Sequence, residues 1–197
     1  MKKKIVFIMN PISGTSSKAA VPSLIDSTLD KEQFEYEIKM TERAGHASEL
    51  AAEARDNHAD IVVAVGGDGT VNEVARSITH SDTALGILPC GSGNGLARHL
   101  LLPLNLKKSI EVINACEIRP LDYGVINGYP FFCTCGMGFD AFVSMKFAES
   151  GKRGPISYAE NILKEGLKYK PETYTLEDET GTKQYKAFLI SCANASQ

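Results

Sequence analysis

The sequence predicts a three-layer α/β domain around a parallel sheet, followed by the start of an antiparallel β region. Apolar runs rich in β-branched residues alternate with helix-period segments over the first 118 residues, which is typical of βαβ units. From Arg119 onward, short strand-like runs joined by glycine-containing turns replace that alternation. The predicted domains are therefore residues 1–118 and 119–197.

Each element of the first domain follows from its pattern. The expected strands are Lys4–Met9, Glu35–Met40, Ile61–Val65 and Ala84–Leu88. The expected helices are near Lys18–Leu29, Ala47–Asn57, Val71–Ile78, Gly95–Leu102 and Lys108–Ala115. The third and fourth strands are apolar on both faces, as expected when helices cover both sides of a sheet.

The second region shows strand pairs and a helix-rich stretch. Asn127-Gly128 predicts a hairpin, and Glu179-Thr180-Gly181 predicts a second turn. The expected strands are Leu121–Ile126, Tyr129–Thr134, Tyr174–Glu177 and Gln184–Ser191, with helix between Asp140 and Tyr169. We expect this region to be incomplete, so its open sheet edge is a surface through which two copies would pair.

Composition excludes several classes of function. The chain has 197 residues, 43% hydrophobic and 23% charged, with a formal net charge of -3. Acids and bases are mixed along it, so nucleic acid is not an expected partner. The apolar run after Lys4 is too short for a signal peptide and no run approaches ~20 apolar residues, so we expect a cytoplasmic protein. The five cysteines lack zinc-site spacing and are expected to be buried thiols.

The strongest local motif is Gly66-Gly67-Asp68-Gly69-Thr70, the first glycine loop, which lies between a strand and a helix. Ligands bind at the carboxyl ends of strands in open α/β sheets, and a glycine-rich turn into a helix offers N–H groups to phosphate. The alternative is a tight turn whose glycines only permit positive φ.

Asp68 decides what kind of phosphate site this loop could form. A carboxylate ~4 Å from a phosphate oxygen is repelled by about 4 kcal/mol at an effective dielectric of 20. A positive charge or a proton is therefore expected between them. Asp68 would either hold Mg²⁺, directly or through water, or accept the proton of an attacking hydroxyl.

Two further loops have the same placement after a strand. The second glycine loop, Pro89–Gly95, follows the fourth strand, and its residues Gly91, Ser92, Gly93 and Asn94 would add donors. The Asn10 loop, Asn10-Pro11-Ile12-Ser13-Gly14, follows the first strand; Asn10 and Ser13 could contact phosphate or ribose and Gly14 shapes the turn. An Asx-type turn is the alternative interpretation of the Asn10 loop.

These loops, together with Thr41-Glu42-Arg43-Ala44-Gly45-His46-Ala47, resemble the diacylglycerol kinase catalytic-domain family, which includes bacterial lipid kinases and the sphingosine and ceramide kinases. The resemblance covers almost the whole chain. It implies the α/β/α domain shared by NAD kinases and diacylglycerol kinases, then part of a β-sandwich. It also implies transfer of the γ-phosphoryl group of ATP to a hydroxyl of diacylglycerol or a sphingoid-type lipid, with Mg²⁺, peripheral to a membrane.

The predicted ATP site combines the three loops with residues that the resemblance adds. It comprises Asn10, Ser13, Gly14, Thr41, Gly66, Gly67, Asp68, Gly69, Thr70, Val71, Asn72, Glu73, Gly91, Ser92, Gly93, Asn94 and Arg153. Asp68 would be the acid closest to the chemistry. By resemblance, Asp140 and Asp122 would contact the lipid substrate, although Asp140 could equally cap a helix. His46 is expected to start a helix or lie in the core.

Two alternatives remain open at this point. An NAD kinase shares the Gly-Gly-Asp-Gly motif, but it usually has Gly-x-Leu-Gly-Phe where this chain has Gly91-Ser92-Gly93-Asn94. The second alternative is a nucleotide-binding fragment that does not catalyse transfer. For this chain by itself we expect weak binding of Mg-ATP and little turnover.

Overall fold

A computed structural model describes residues 2–12, 18–150, 166 and 169–195 of the chain. Its contacts divide the chain into two compact units. Unit 1 comprises Met1–Cys133 and Asn194–Gln197, and unit 2 comprises Thr134–Ala193. The predicted domain boundary near residue 119 stays a prediction.

Unit 1 is built on a four-stranded parallel sheet with the order β2-β1-β3-β4. The strands are β1 (Lys3–Met9), β2 (Phe34–Met40), β3 (Ile61–Gly66) and β4 (Ala84–Pro89). The central strand β3 is buried along its whole length. The first half of β4 is only partly buried because β4 is an edge strand, although its sequence is apolar on both faces.

Helices cover both faces of this sheet. They are α1 (Val21–Thr28), α2 (His46–Asp56), α3 (Asp68–Ile78), α4 (Gly95–His99) and α5 (Leu106–Ala115). Alternate strand residues point to opposite sides, so Val62 and Ala64 pack with α2 and α3. Val63 and Val65 pack with α1 and α5 on the other side. The predicted three-layer α/β fold is therefore confirmed.

Two helix boundaries differ from the prediction in ways that concern the site. Helix α3 begins at Asp68, three residues before the predicted start at Val71. Three of the five residues of the first glycine loop thus form the first turn of a helix. Helix α4 ends at His99 instead of continuing to Leu102, because Leu101 has a positive φ of 56°, which an α-helix does not contain.

The Asn-Gly hairpin occurs as predicted. Strands β5 (Gly124–Ile126) and β6 (Tyr129–Phe131) pair antiparallel, and both Asn127 and Gly128 have positive φ, as a type I′ turn requires. Arg76 of α3 lies over the Tyr129 ring, 5.4 Å from its centroid. By its contacts this hairpin belongs to unit 1.

In the described part of unit 2, one strand occurs near the predicted Tyr174–Glu177, whereas Thr134–Gly138 was not predicted as a strand and the predicted Gln184–Ser191 is divided between two strands. Strand β7 (Thr134–Gly138) pairs with β10 (Leu189–Ala193), and β8 (Glu172–Asp178) pairs with β9 (Gly181–Ala187). Helix α6 (Phe139–Ser150) follows β7 directly. The predicted helix continues to Tyr169, but residues 151–165, 167 and 168 lie outside the described residues. Among the described helices, none has the length and apolar character needed to cross a bilayer.

Candidate active site

The ends of the four parallel strands lie side by side. The register pairs Met9 with Met40 and with Val65, and it pairs Gly66 with Pro89. The loops that follow the strands continue this contact, since the N–H groups of Asn10, Thr41 and Cys90 each bond the end of a neighbouring strand. The three loops singled out in the sequence therefore lie together at the carboxyl ends of the parallel strands, which we call the strand-end edge of the sheet.

The two glycine loops touch through their backbones. A Cβ added at Gly91 would overlap the Cα of Gly67, and a Cβ added at Gly67 would lie 3.1 Å from the Cα of Gly91. Neither residue has a positive φ. These glycines are thus required by the close approach of two loops, and the alternative that they only permit positive φ is wrong.

Asp68 joins the two loops by charge-assisted hydrogen bonds. Its Oδ2 accepts from the N–H of Asn94 at 2.9 Å, and its Oδ1 accepts from the N–H of Gly95 at 2.6 Å. A Cβ at Gly93 would lie 2.6 Å from Asp68 Oδ2. The Asp68 side chain is nevertheless exposed. Each carboxylate oxygen has a second lone-pair site, so the fixed carboxylate can also take a cation or a proton.

Asn94 gives the second glycine loop its shape. Its backbone is left-handed, with φ 57° and ψ 43°. Its Oδ1 accepts from the N–H of Gly91 at 2.8 Å, and its Nδ2 donates to the Gly91 carbonyl at 2.7 Å. The side chain is buried, with 8% of the residue exposed. Ser92 and Gly93, between these two residues, are exposed at the tip of the loop.

The Asn10 loop contains the Asx-type turn that was one of its two interpretations. Asn10 Oδ1 accepts from the N–H of Ile12 at 3.1 Å. Its Nδ2 also donates to Thr70 Oγ1 at 3.4 Å, which links this loop to α3. Thr70 itself is buried. Ser13 and Gly14 lie outside the described residues.

Lys18 is a candidate residue that the sequence reasoning did not include in the site. It is 7% exposed, and its Nζ donates to the carbonyl of Asn10 at 2.9 Å. Burial raises the pKa of the Cys90 thiol, and the Lys18 charge partly opposes that rise. A buried ammonium thus lies close to two of the loops. Its only signal in the sequence is a lysine shortly after the Asn10 loop.

The segment after β2 also lies at the strand-end edge, next to the end of β1. Thr41 is buried, and its N–H donates to the Met9 carbonyl. Glu73 Oε1 accepts from the N–H of Gly45 at 3.2 Å, which fixes the start of α2. His46 lies in the first turn of α2, and its Nδ1 accepts from the N–H of Glu42.

The remaining members of the predicted ATP site differ in exposure. Gly69 is exposed at the start of α3 and Asn72 is half-buried. Val71 packs in the core with 7% exposure, so it can offer a ligand only its backbone. Gly66 is held close to Thr70, because a Cβ there would overlap the Thr70 side chain. Arg153 lies outside the described residues.

The two predicted lipid contacts fall in different units. Asp122 belongs to unit 1, where it is exposed and its backbone carbonyl accepts from Asn194 Nδ2 at 2.9 Å. Asp140 belongs to unit 2 and lies exposed in the first turn of α6. A carboxylate in a first helical turn is stabilised by the helix dipole, which agrees with the interpretation that Asp140 supports the helix start.

The charges at the strand-end edge suit an anion, such as phosphate, that is accompanied by a cation. The N–H groups of the first turn of α3 have no acceptor within the helix, and the partial positive charge of a helix N-terminus favours phosphate. Asp68 adds a negative charge among them, and it also contributes to the raised pKa of the half-buried Cys133 thiol, which burial raises most. Among the described residues, no group of three or more potential metal ligands occurs.

Comparison with known proteins assigns the family. The sequence profile of the diacylglycerol kinase catalytic domain matches residues 4–126. A diacylglycerol kinase of Staphylococcus saprophyticus is 33% identical over 163 residues, which cover 80% of this chain and 53% of that protein. A diacylglycerol kinase of Bacillus subtilis is 34% identical over 140 residues, which cover 69% of this chain and 46% of that protein. The chain thus spans about half the length of these relatives.

A solved structure shows the same fold. The crystal structure of a diacylglycerol kinase from Bacillus anthracis superposes with a TM-score of 0.72 at 22% sequence identity, covering 98% of this chain and 67% of that protein. At this identity the likeness concerns the fold alone. The sequence profile matches more than half of the chain and carries the assignment: this protein belongs to the diacylglycerol kinase catalytic domain family.

Proposed function

We propose that the protein takes part in an ATP-dependent lipid kinase reaction, in which the γ-phosphoryl group of ATP passes to a hydroxyl of diacylglycerol or a sphingoid-type lipid. One observation carries the proposal: the carboxylate of the first glycine loop is hydrogen-bonded to the backbone of the second loop, at the strand ends of a parallel sheet. This arrangement fixes an acid beside the backbone N–H groups at the start of α3. Phosphoryl transfer needs such positioning more than it needs covalent chemistry.

ATP fits this edge for steric as well as electrostatic reasons. Glycines at 91 and 93 let the second loop pack directly against Gly67 and Asp68, so the two loops would line the phosphate site together. Asn10, Thr41, the first glycine loop, Asn72, Glu73 and Ser92 would complete the nucleotide site. The buried Lys18 would supply positive charge beneath the Asn10 loop, next to the bound phosphates.

Asp68 would act in one of two ways. A fixed exposed carboxylate is a suitable oxygen ligand for Mg²⁺, directly or through water, and a bound Mg²⁺ would neutralise charge that develops on the phosphate oxygens. Alternatively, Asp68 would accept the proton of the attacking lipid hydroxyl. In both roles the hydrogen bonds from Asn94 and Gly95 hold the carboxylate in place.

The choice of a lipid acceptor rests on the family and on the names of the relatives, which are diacylglycerol kinases. Asp122 and Asp140 would contact the lipid head group, and the protein would meet its substrate at a membrane surface. Pairing of two copies through the β region stays a prediction.

The test compares acceptors directly. Radiolabelled γ-phosphate from ATP is offered with Mg²⁺ to mixed micelles of diacylglycerol or sphingosine and, separately, to NAD. The protein is assayed as the 197-residue chain and with the further segment that its relatives carry. For the form that carries the further segment, we expect label in lipid and none in NAD. Robust phosphorylation of NAD without lipid product would replace this proposal by an NAD kinase.

A further inference from the structure

Two cysteines of unit 2 lie directly opposite each other on paired strands. Strands β7 and β10 are antiparallel, and their register pairs Cys135 with Cys192. The neighbouring pairs are Gly136 with Ser191 and Thr134 with Ala193. This pair of cysteines is therefore a product of the fold, since 56 other residues separate the two positions in the chain.

The spacing of the pair suits a covalent bond. Facing residues of antiparallel strands have Cα atoms about 4.5 or 5.5 Å apart, depending on their place in the ladder. Both values lie inside the roughly 4.4–6.8 Å that disulfides span. The Cys192 side chain also lies close enough to Cys135 to contribute to the raised pKa of its thiol. A disulfide therefore needs no change of strand register.

The two thiols differ in their access to solvent. Cys192 is exposed, whereas Cys135 is half-buried, so the prediction that the cysteines are buried thiols is wrong for these two. Burial raises the pKa of the Cys135 thiol, and the neighbouring Cys192 contributes further to that rise. An oxidant from solution therefore meets Cys192 first, and Cys135 lies behind it as the thiol within reach.

We propose that Cys135 and Cys192 are a redox-sensitive dithiol that closes to a cross-strand disulfide in the presence of a hydroperoxide. The Cys192 thiolate attacks the outer peroxide oxygen, the O–O bond breaks, and the alkoxide leaves and takes a proton. The Cys135 thiolate then attacks the sulfur of the resulting sulfenic acid and releases hydroxide, which takes a proton to form water. Two thiols and one hydroperoxide thus give one disulfide, one alcohol and one water, the sulfurs losing two electrons.

The disulfide would link the two strands by which the chain enters and leaves unit 2. The chain leaves unit 1 after Cys133 and returns to it at Asn194, so β7 and β10 carry it out and back. A disulfide between residues 135 and 192 closes a long loop, and such closure restricts the unfolded chain. Oxidation should therefore stabilise the pairing of these two strands.

The experiment maps the bond in the whole chain. The reduced protein is treated with tert-butyl hydroperoxide, its remaining thiols are alkylated in denaturant, and the digest is analysed by mass spectrometry. We expect two of the five thiols to be lost, a peptide joining Cys135 to Cys192, and full recovery with dithiothreitol. Five intact thiols, a different pair, or a bond between two molecules would each overturn the proposal.

Variants assign the order of the steps. Cys135→Ser should leave a sulfenic acid on Cys192 that dimedone traps, while Cys192→Ser should form no cross-link. Cys116→Ser is the matched control, since Cys116 is also half-buried but lies outside the β7–β10 pair, and it should form the disulfide as the unaltered chain does. Loss of the cross-link in Cys116→Ser would contradict the assignment. The map of the unaltered chain needs no variant, so a variant that fails to fold leaves the test intact.

Thermal unfolding checks that the native register accepts the bond. The oxidised chain should melt about 5 °C above the reduced chain, because the cross-link removes freedom from the unfolded state. An equal or lower melting temperature would contradict the claim that the disulfide fits without a change of register.

Discussion

The Asp68 side chain has both a structural role and an electrostatic role. It ties two loops together through the N–H groups of Asn94 and Gly95, and it presents an exposed negative charge at the strand ends. The sequence indicated the negative charge but gave no sign of the hydrogen bonds that join the two loops. Replacing Asp68 should therefore affect stability as well as any catalysis.

Asp68→Asn separates these roles. The amide keeps the size of the side chain but turns an N–H₂ group toward one of the two backbone donors, so the free energy of unfolding should fall by about 1–3 kcal/mol. In a catalytically active form, kcat should fall by ~10²-fold or more because the charge that holds the cation or takes the proton is lost. Urea unfolding and a steady-state phosphotransfer assay measure the two effects.

Asp82→Asn is the matched control, since Asp82 is an exposed carboxylate beyond the other end of α3. It should leave both quantities unchanged. A near-normal kcat in Asp68→Asn would remove Asp68 from the mechanism.

Asn94 gives a second test at the same scale. Its side chain makes both hydrogen bonds to Gly91, and its backbone is left-handed. Asn94→Gly loses only the side-chain bonds, whereas Asn94→Ala also strains the backbone. We expect about 1–3 kcal/mol of destabilisation for glycine and about 1 kcal/mol more for alanine, measured by urea unfolding. Equal losses would show that the backbone conformation does not matter.

Helix α3 and the second glycine loop form the element on which the site depends. The helix starts at Asp68, so the N–H groups of its first turn and the Asp68 carboxylate lie at the same end of the helix. The second loop must approach within contact distance of Gly67, which only a glycine at position 91 allows. Packing between these elements, rather than the conformation of either one, determines the glycine pattern.

Gly91→Ala tests this packing. The added methyl would overlap the Cα of Gly67 and lie 2.9 Å from Asn94 Oδ1, so the loops must separate. We expect about 1–3 kcal/mol of destabilisation, measured by urea unfolding. The matched change is Gly69→Ala on α3, where an added Cβ has no atom within 4 Å. It should stabilise by up to about 1 kcal/mol, because alanine favours the helix. Destabilisation by Gly69→Ala, or a neutral Gly91→Ala, would contradict the packing account.

At the scale of the whole molecule, the described residues contain a four-stranded parallel sheet in unit 1 and a smaller unit 2. It spans 53% and 46% of the length of two diacylglycerol kinase relatives. The described strands β8 and β9 of unit 2 are mostly exposed. Nucleotide recognition is thus proposed for unit 1.

The 197-residue chain should therefore bind Mg-ATP weakly and transfer little or no phosphate to lipid. Isothermal calorimetry of the purified chain measures the first expectation, and the radiolabel assay measures the second. Weak binding would follow because the strand-end edge is present, and low turnover because the chain spans only about half the length of its diacylglycerol kinase relatives. Turnover at the rate of a complete relative would contradict the second expectation, and an absence of binding heat would contradict the first.

The sequence alone determined the fold class, the four parallel strands, the Asn127-Gly128 hairpin and the three loops at one edge. Such features depend on local residue types and on periodicity, which a linear chain records. Only the tertiary structure decided that Gly67 touches Gly91, that Asp68 accepts from Asn94 and Gly95, that Lys18 is buried near Asn10, and that Cys135 faces Cys192. Most of these contacts join residues far apart in the chain, and Lys18 shows no local sign of its burial. They arise from the register and packing of whole elements, which no local pattern specifies.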